Sequence, residues 1–277
     1  MNYVIQQLSK KELLSFFGEH EQLVIKYFIY KSLLSQPELL PKQANLPIQI
    51  PKEHIEQWVV QALQATPIGA GSYPIDVYSI EKKWGADIKM ISAKMNNNHL
   101  RENVESGETS LAQKFKDTGS NLDSLFAENK FEVIKDEWLQ IYYQKYQKVI
   151  NALNIKDIYY FFVIRGNLDF YLVGMKIDTT NIANVTVNKE SKRLQSVCLN
   201  NFIDKDLGTV RIYKAKKRLE LRLFPAEWEK RNNYIKFSCN FIQNKINLFE
   251  TIKDESSLHE VLSNATKVVL SSQITIQ

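Results

Sequence analysis

The sequence predicts a mixed α/β or α+β protein with a central mixed sheet flanked by helices, not a doubly wound sheet. Three observations point there. Apolar residues recur at helical spacing near the N-terminus and again over 108–150, alternation with period two marks a hairpin over 73–92, and the last hundred residues are mostly β-patterned. With 277 residues, the chain is long enough to bury a substantial core.

Ser9-Lys10-Lys11-Glu12 has capping-box spacing ahead of Leu13, Leu14, Phe16 and Phe17, so a helix starts there. A second helix is expected from about Glu21 to Leu34. Prolines at 37, 41, 47 and 51 make residues 36–50 an extended connection, and Pro51 suits the first turn of a helix carrying Ile55, Trp58, Val59, Ala62 and Leu63. That helix ends before Pro67. Ile75, Val77 and Ile80 then read as one strand, and Ile88, Met90 and Ile91 as the next, after Gly85.

Residues 108–150 are expected to be helical, divided near Gly119, with Leu111, Phe115, Leu122, Leu125 and Phe126 in the first part and Val133, Trp138, Ile141, Tyr142 and Val149 in the second. Two strands, Ile158–Ile164 and Leu168–Ile177, flank the turn Arg165-Gly166-Asn167. Further strands are expected near 196–203, 209–214, 217–224 and 234–242, a short helix near 257–264, and a last strand at about 266–275. The organisation expected is an N-terminal helical segment over 1–50, a core over 51–180, and a β-rich part over 181–277, separate or folded with the core into one domain.

With 44% hydrophobic and 24% charged residues, the composition is that of a soluble globular protein, and no apolar run reaches membrane-spanning length. The N-terminus resembles no secretion signal, so a cytoplasmic location without membrane association is the expectation. Cys198 and Cys239 lie far apart, without zinc-site spacing, and read as reduced thiols. His54, His99 and His259 are isolated along the chain, which leaves no Ser/His/Asp or Cys/His arrangement to argue from. Gly69-Ala70-Gly71 is too short for a phosphate-cradling loop of the Walker kind.

Chemistry concentrates in the hairpin. If the chain turns back symmetrically about positions 81 and 82, Asp76 lies across from Asp87 with Cβ atoms about 5 Å apart. Lys89 projects from the same face as Asp87, because strand side chains alternate. Two carboxylates this close repel unless a cation lies between them. Mg²⁺ suits such a pair, since it takes a few carboxylate oxygens, keeps waters and leaves room for a phosphate. Lys89 would orient the attacking water, help to deprotonate it, or stabilise charge on phosphorus. Read alone, the same residues also suit a solvent-facing hairpin with Ile75, Val77 and Ile88 turned inward.

Asp76 on one hairpin strand and Asp87-Ile88-Lys89 on the other resemble the PD-(D/E)XK nuclease superfamily, which includes most type II restriction endonucleases. The resemblance covers residues 51–178, from the helix carrying Glu53 and Glu56, through the hairpin and the helices after Glu108, to the strand at Ile158–Ile164. It implies Asp76 and Asp87 as metal-binding acids, Lys89 as the catalytic lysine, and Glu56 as an acid that some members contribute from the preceding helix. Two departures stand out: Ile75 separates Pro74 from Asp76, and the second acid is Asp where Glu is commoner.

The function implied is Mg²⁺-dependent, sequence-specific hydrolysis of double-stranded DNA by a homodimer, with a companion DNA methyltransferase protecting the host. The alternatives are a DNA-binding protein that has lost catalysis and a repair or degradative nuclease. For DNA contact, the net charge of +5 matters less than its distribution: Arg211, Lys214, Lys216, Lys217 and Arg218 cluster on a predicted ribbon. Such lysines serve equally well to discourage edge pairing on a solvated ribbon. Gln113 and Lys114, at the expected start of the helix after the hairpin, are further candidates, and Ser106 or Thr109 would cap that helix.

Overall fold

A computed structural model of the protein describes residues 3–51, 54–69, 73–97, 99–113, 121–188 and 195–277. The chain opens with a short strand, β1 (Ile5–Gln7), and the helices α1 (Lys10–Phe16) and α2 (Glu19–Leu34). Then come α3 (His54–Leu63), β2 (Thr66–Pro67) and the hairpin strands β3 (Val77–Ser79) and β4 (Trp84–Ser92). Strands β5 (Met95–Asn96), β6 (His99–Leu100) and β7 (Thr109–Gln113) precede α4 (Leu122–Ala127) and the long α5 (Phe131–Leu153). Next are β8 (Asp157–Gly166), β9 (Asp169–Ile177), β10 (Thr186–Val187), β11 (Ser196–Asn200), β12 (Gly208–Tyr213) and β13 (Arg218–Leu223). The chain closes with α6 (Pro225–Arg231), β14 (Ile235–Cys239), α7 (Leu248–Thr251), α8 (Glu255–Ser271) and β15 (Ile274–Ile276).

The result is a mixed α/β protein whose central sheet, in the order β15-β14-β9-β8-β4-β3-β2 with β1 beside β9, is flanked by helices. Its middle is the parallel pair β4–β8, connected through α5, with Asp87 beside Tyr160 and Lys89 beside Phe162. Strand alternation divides β4 between two cores. Ala86, Ile88 and Met90 pack with Ile25, Ile29, Ile55 and Trp58 of α2 and α3, while Ile91 joins Tyr160 and Phe162 of β8 and Trp138, Tyr142 and Tyr146 of α5. A parallel strand covered on both faces is expected to be buried along most of its length, as β4 is.

A second sheet runs β10-β11-β12-β13-β7. Both sheets draw strands from either side of residue 180, since β14 and β15 complete the central sheet and β7 edges the second. Among the described residues no helix is long and apolar enough to cross a membrane, and both cysteines are free.

The capping box at Ser9 and Glu12 forms as expected, with Ser9 N–H donating to the Glu12 carboxylate and Glu12 N–H to Ser9 Oγ. Two expectations are corrected. Residues 109–113 form a strand, not the start of a helix: Ser106 caps nothing, its hydroxyl accepting the Leu223 N–H and donating to the Gly107 carbonyl, which leads the chain onto the edge of β13. At the C-terminus, α8 continues to Ser271 and leaves only Ile274–Ile276 extended. There the Asp254–Ser257 capping box starts the helix, and Val261 and Val269, two turns apart on one face, are both buried.

Candidate active site

The β3–β4 pairing is Val77 with Ala86, Tyr78 with Gly85 and Ser79 with Trp84, the register of a turn symmetric about 81 and 82. The ladder ends there: Asp76 bonds Ala86 instead of pairing with Asp87 as expected, and the two acids meet through Lys89. Asp76 sits just before β3 and is held on three sides. Its N–H donates to Ala86 O at 2.9 Å, its carbonyl accepts the Ile68 N–H at 2.8 Å, and its Oδ2 accepts the Ile88 N–H at 2.6 Å. Gly85 permits this approach: a Cβ there would lie 2.5 Å from Ile75 Cδ1 and 2.8 Å from Ile155 Cδ1.

Asp87 is buried at 4% exposure because β4 is a central strand covered by α5, and Lys89 reaches back over it. The Lys89 ammonium contacts Asp87 Oδ1 and lies 3.9 Å from Asp76 Oδ2. The Lys89 ammonium is the partner of Asp87 Oδ1, as ion pair and as hydrogen-bond donor. Burial pushes the Asp87 carboxyl up to about 7; Lys89 and Lys145 pull it back and Asp76 adds to the rise. Burial opposes the charge on Lys89, but Asp87, Asp76 and Glu56 outweigh it and hold the ammonium above the usual lysine range. Glu56, on the exposed side of α3, is therefore near enough to act on this lysine.

Behind Asp87 lies a group of tyrosines that sequence reasoning did not assign to the site. Tyr146 and Tyr160 share a hydrogen bond of 2.5 Å between hydroxyls, the Tyr142 and Tyr146 rings meet edge-on at 4.9 Å, and Tyr142 is fully buried beside them. Burial raises all three phenols well above the usual range, so they stay neutral and form a dry wall. Lys145 of α5 was also missed. Its Nζ donates to Leu111 O of β7 at 2.6 Å, and burial lowers it to about 8, against the pull of Asp87. The only sequence signal was its place between Tyr142, Tyr146 and Val149, apolar-face positions of one helix.

The donor set suits a hard cation. It offers two carboxylates that share the Lys89 ammonium, one of them buried, and neither thiolate nor imidazole, a match for Mg²⁺ rather than Zn²⁺. Among the described residues no three His, Cys, Asp or Glu side chains are grouped to hold a metal. Two protein ligands still suffice for an ion that keeps several waters.

The basic cluster maps to the β12–β13 hairpin, with its charges largely engaged. Arg211 pairs with Glu105 at 3.1 Å, and Arg222 bridges Glu105 at 3.0 Å and Glu108 at 2.8 Å. Lys216 contacts Glu108 and lies 3.5 Å from Glu220, while Lys214 and Lys217 face Asp123 at 3.9 and 4.0 Å. The Lys216 ammonium holds Glu108 well below the usual carboxylate range, whereas burial pushes Glu220 up. Arg218 is exposed, with no ion pair among the described residues. Gln113 ends β7 opposite Arg218, and Lys114 lies outside the described residues. His99 is not isolated: its Nδ1 lies 3.3 Å from Glu229 Oε1, which also accepts the Tyr171 hydroxyl.

Compared with known proteins, the chain matches no family model, no curated protein and no solved structure.

Proposed function

We propose that the protein is a Mg²⁺-dependent endodeoxyribonuclease of the type II restriction kind, with a PD-(D/E)XK core, that cuts double-stranded DNA at a specific sequence. The observation that carries this reading is the grouping of Asp76, Asp87 and Lys89 on facing strands, with Asp87 buried and its carboxyl pushed up to about 7. A buried acid that is costly to ionise beside a second acid is typical of functional sites, because a stability-driven design would leave it out. The order α3, hairpin, α5 and a β8 parallel to β4 adds support, being the order of elements in that superfamily's core.

In this reading Asp76 and Asp87 hold the cation through their carboxylate oxygens. Mg²⁺, when bound, supplies Lewis acidity toward the phosphate and lowers the pKa of a water. Asp76 stays in place through its bond to the Ile88 N–H. Lys89 keeps its proton and, turned from Asp87 toward the substrate, steadies negative charge on the phosphoryl oxygens and orients the attacking water. Tyr142, Tyr146 and Tyr160 exclude solvent from the rear of the site, which strengthens each of these interactions. One such site per chain and two antiparallel strands per target call for a homodimer, and a host carrying the target sequence needs a companion methyltransferase.

A DNA-binding protein without catalysis draws less support, since binding alone gives no reason for a buried acid beside a second acid and a lysine. Incubation with plasmid and Mg²⁺ tests the reading. Discrete fragments are expected; a smear would point to a repair or degradative nuclease, and binding without cutting to the non-catalytic alternative.

A further inference from the structure

On the α5 side of the acid pair, the Lys145 ammonium is half-buried and has two neighbours: the Leu111 carbonyl at 2.6 Å and the Tyr146 ring, with its centroid 4.9 Å away. Among the described residues no carboxylate lies within ion-pair distance of it. The Tyr146 hydroxyl bonds that of Tyr160, which lies beside Asp87 in the β4–β8 register, so the ammonium over the Tyr146 ring is on the Asp87 side of the sheet, where Asp87 and Asp76 attract it and Lys89 repels it. A cation taken this far out of water is normally paired with an anion. An ammonium has three donors, and the Leu111 carbonyl uses one.

The charge balance points the same way. Asp76 and Asp87 are offset by Lys89 and Lys145, so a divalent cation joining the acids leaves positive charge in excess, which an anionic ligand would neutralise. The Leu111 carbonyl and the Tyr146 ring fix the ammonium in advance, so no reorganisation is needed when that ligand arrives.

We infer that Lys145 forms an anion subsite beside the Asp76–Asp87 pair and donates to a non-bridging oxygen of a phosphate group in the substrate. That the phosphate belongs to DNA rests on the nuclease reading; the subsite itself rests on the geometry of Lys145. Lys145 would thus be a second lysine in contact with substrate, brought there by a helix instead of the hairpin.

The test uses the full chain with Lys145→Met, which keeps the length of the side chain but not its charge, and Lys145→Arg. Inorganic phosphate is titrated calorimetrically in the presence of Mg²⁺, plasmid cleavage is timed with enzyme in excess, and thermal melting reports folding. Phosphate binding should weaken about tenfold or more and cleavage slow by about a hundredfold in the Met variant. The Arg variant should recover much of the phosphate binding, which a purely structural tie to Leu111 would not require. If the Met variant binds phosphate and cuts plasmid as the parent does, the inference is overturned while the nuclease reading stands. If the parent does not cut but binds phosphate in a Lys145-dependent way, the nuclease reading fails and the subsite stands. If the Met variant does not fold, Lys145→Gln takes its place: with parent-like melting, weakened phosphate binding supports the subsite, and unaltered phosphate binding and rate overturn it.

Discussion

Asp76 Oδ2 accepts the main-chain N–H of Ile88 at 2.6 Å, so the first acid is fastened to the residue that separates Asp87 from Lys89 on the facing strand. The spacing of the acids is therefore set by the backbone of β4 as well as by side-chain rotamers. Asp76→Asn keeps an acceptor for Ile88 and should melt within a few degrees of the parent, yet lose nearly all cleavage. Asp76→Ala also removes the acceptor and should cost a further ~1–2 kcal/mol. Thermal melting and plasmid nicking together check this; cutting by either variant at the parent's rate would show that Asp76 is not a metal ligand.

Asp87 gives the metal-free protein a pH dependence of definite sign. Its folded value of about 7 lies above the unbound 3.8, so the folded state keeps a proton that the unfolded state gives up. This contribution to stability is complete below about pH 4 and is lost as the pH rises through 7. Asp87→Asn should flatten that slope, matching the parent near pH 4 and melting above it at pH 8. Added Mg²⁺ should raise the melting point of the parent at pH 8 and leave Asp87→Asn unchanged. Melting curves across pH, with and without Mg²⁺, measure both effects.

Because Lys214, Lys216 and Lys217 already face acids, neutralising them should weaken DNA binding only slightly. Removing Arg218 along with them should reduce the salt slope by about one unit, rather than one for each charge removed. Conversely, Glu105→Gln with Glu108→Gln frees Arg211 and Arg222 and should tighten non-specific binding. Binding measured over a range of salt concentrations separates these outcomes, and a full one-unit loss per lysine would show that DNA displaces the acids.

Gly85→Ala should destabilise the fold by about 1–3 kcal/mol, since the new methyl would meet Ile75 and Ile155 side chains that are themselves buried. Any relief pushes Ile75, and Asp76 with it, away from β4. Cleavage should fall more than stability alone explains, which activity assays well below the melting temperature would reveal.

How much of this the sequence carried depends on how far along the chain the deciding contact lies. The β3–β4 register was legible because a short turn and a two-residue alternation specify it locally, and the placing of Asp76, Asp87 and Lys89 on one patch followed. The start of α1, the helical stripe carried by α5 and the β8–β9 turn were legible for similar reasons: a capping box, apolar residues at helical spacing, and an Arg-Gly-Asn turn whose Asn167 is left-handed.

The tertiary structure decided what depends on distant partners. Thr109–Gln113 became a strand because β13 offered an edge from more than a hundred residues away, and Leu111 of that strand then met Lys145, 34 residues on. The positive charge of 211–222 was visible in the sequence, but its compensation by Glu105, Glu108 and Asp123 required folding. Local propensity and turn chemistry act over a few residues and can be read in order along the chain; ion pairing and burial act between whichever residues the packed elements bring together. The sequence alone thus determined the mixed α/β class and the candidate acids and lysine, and packing decided which of the charges face one another.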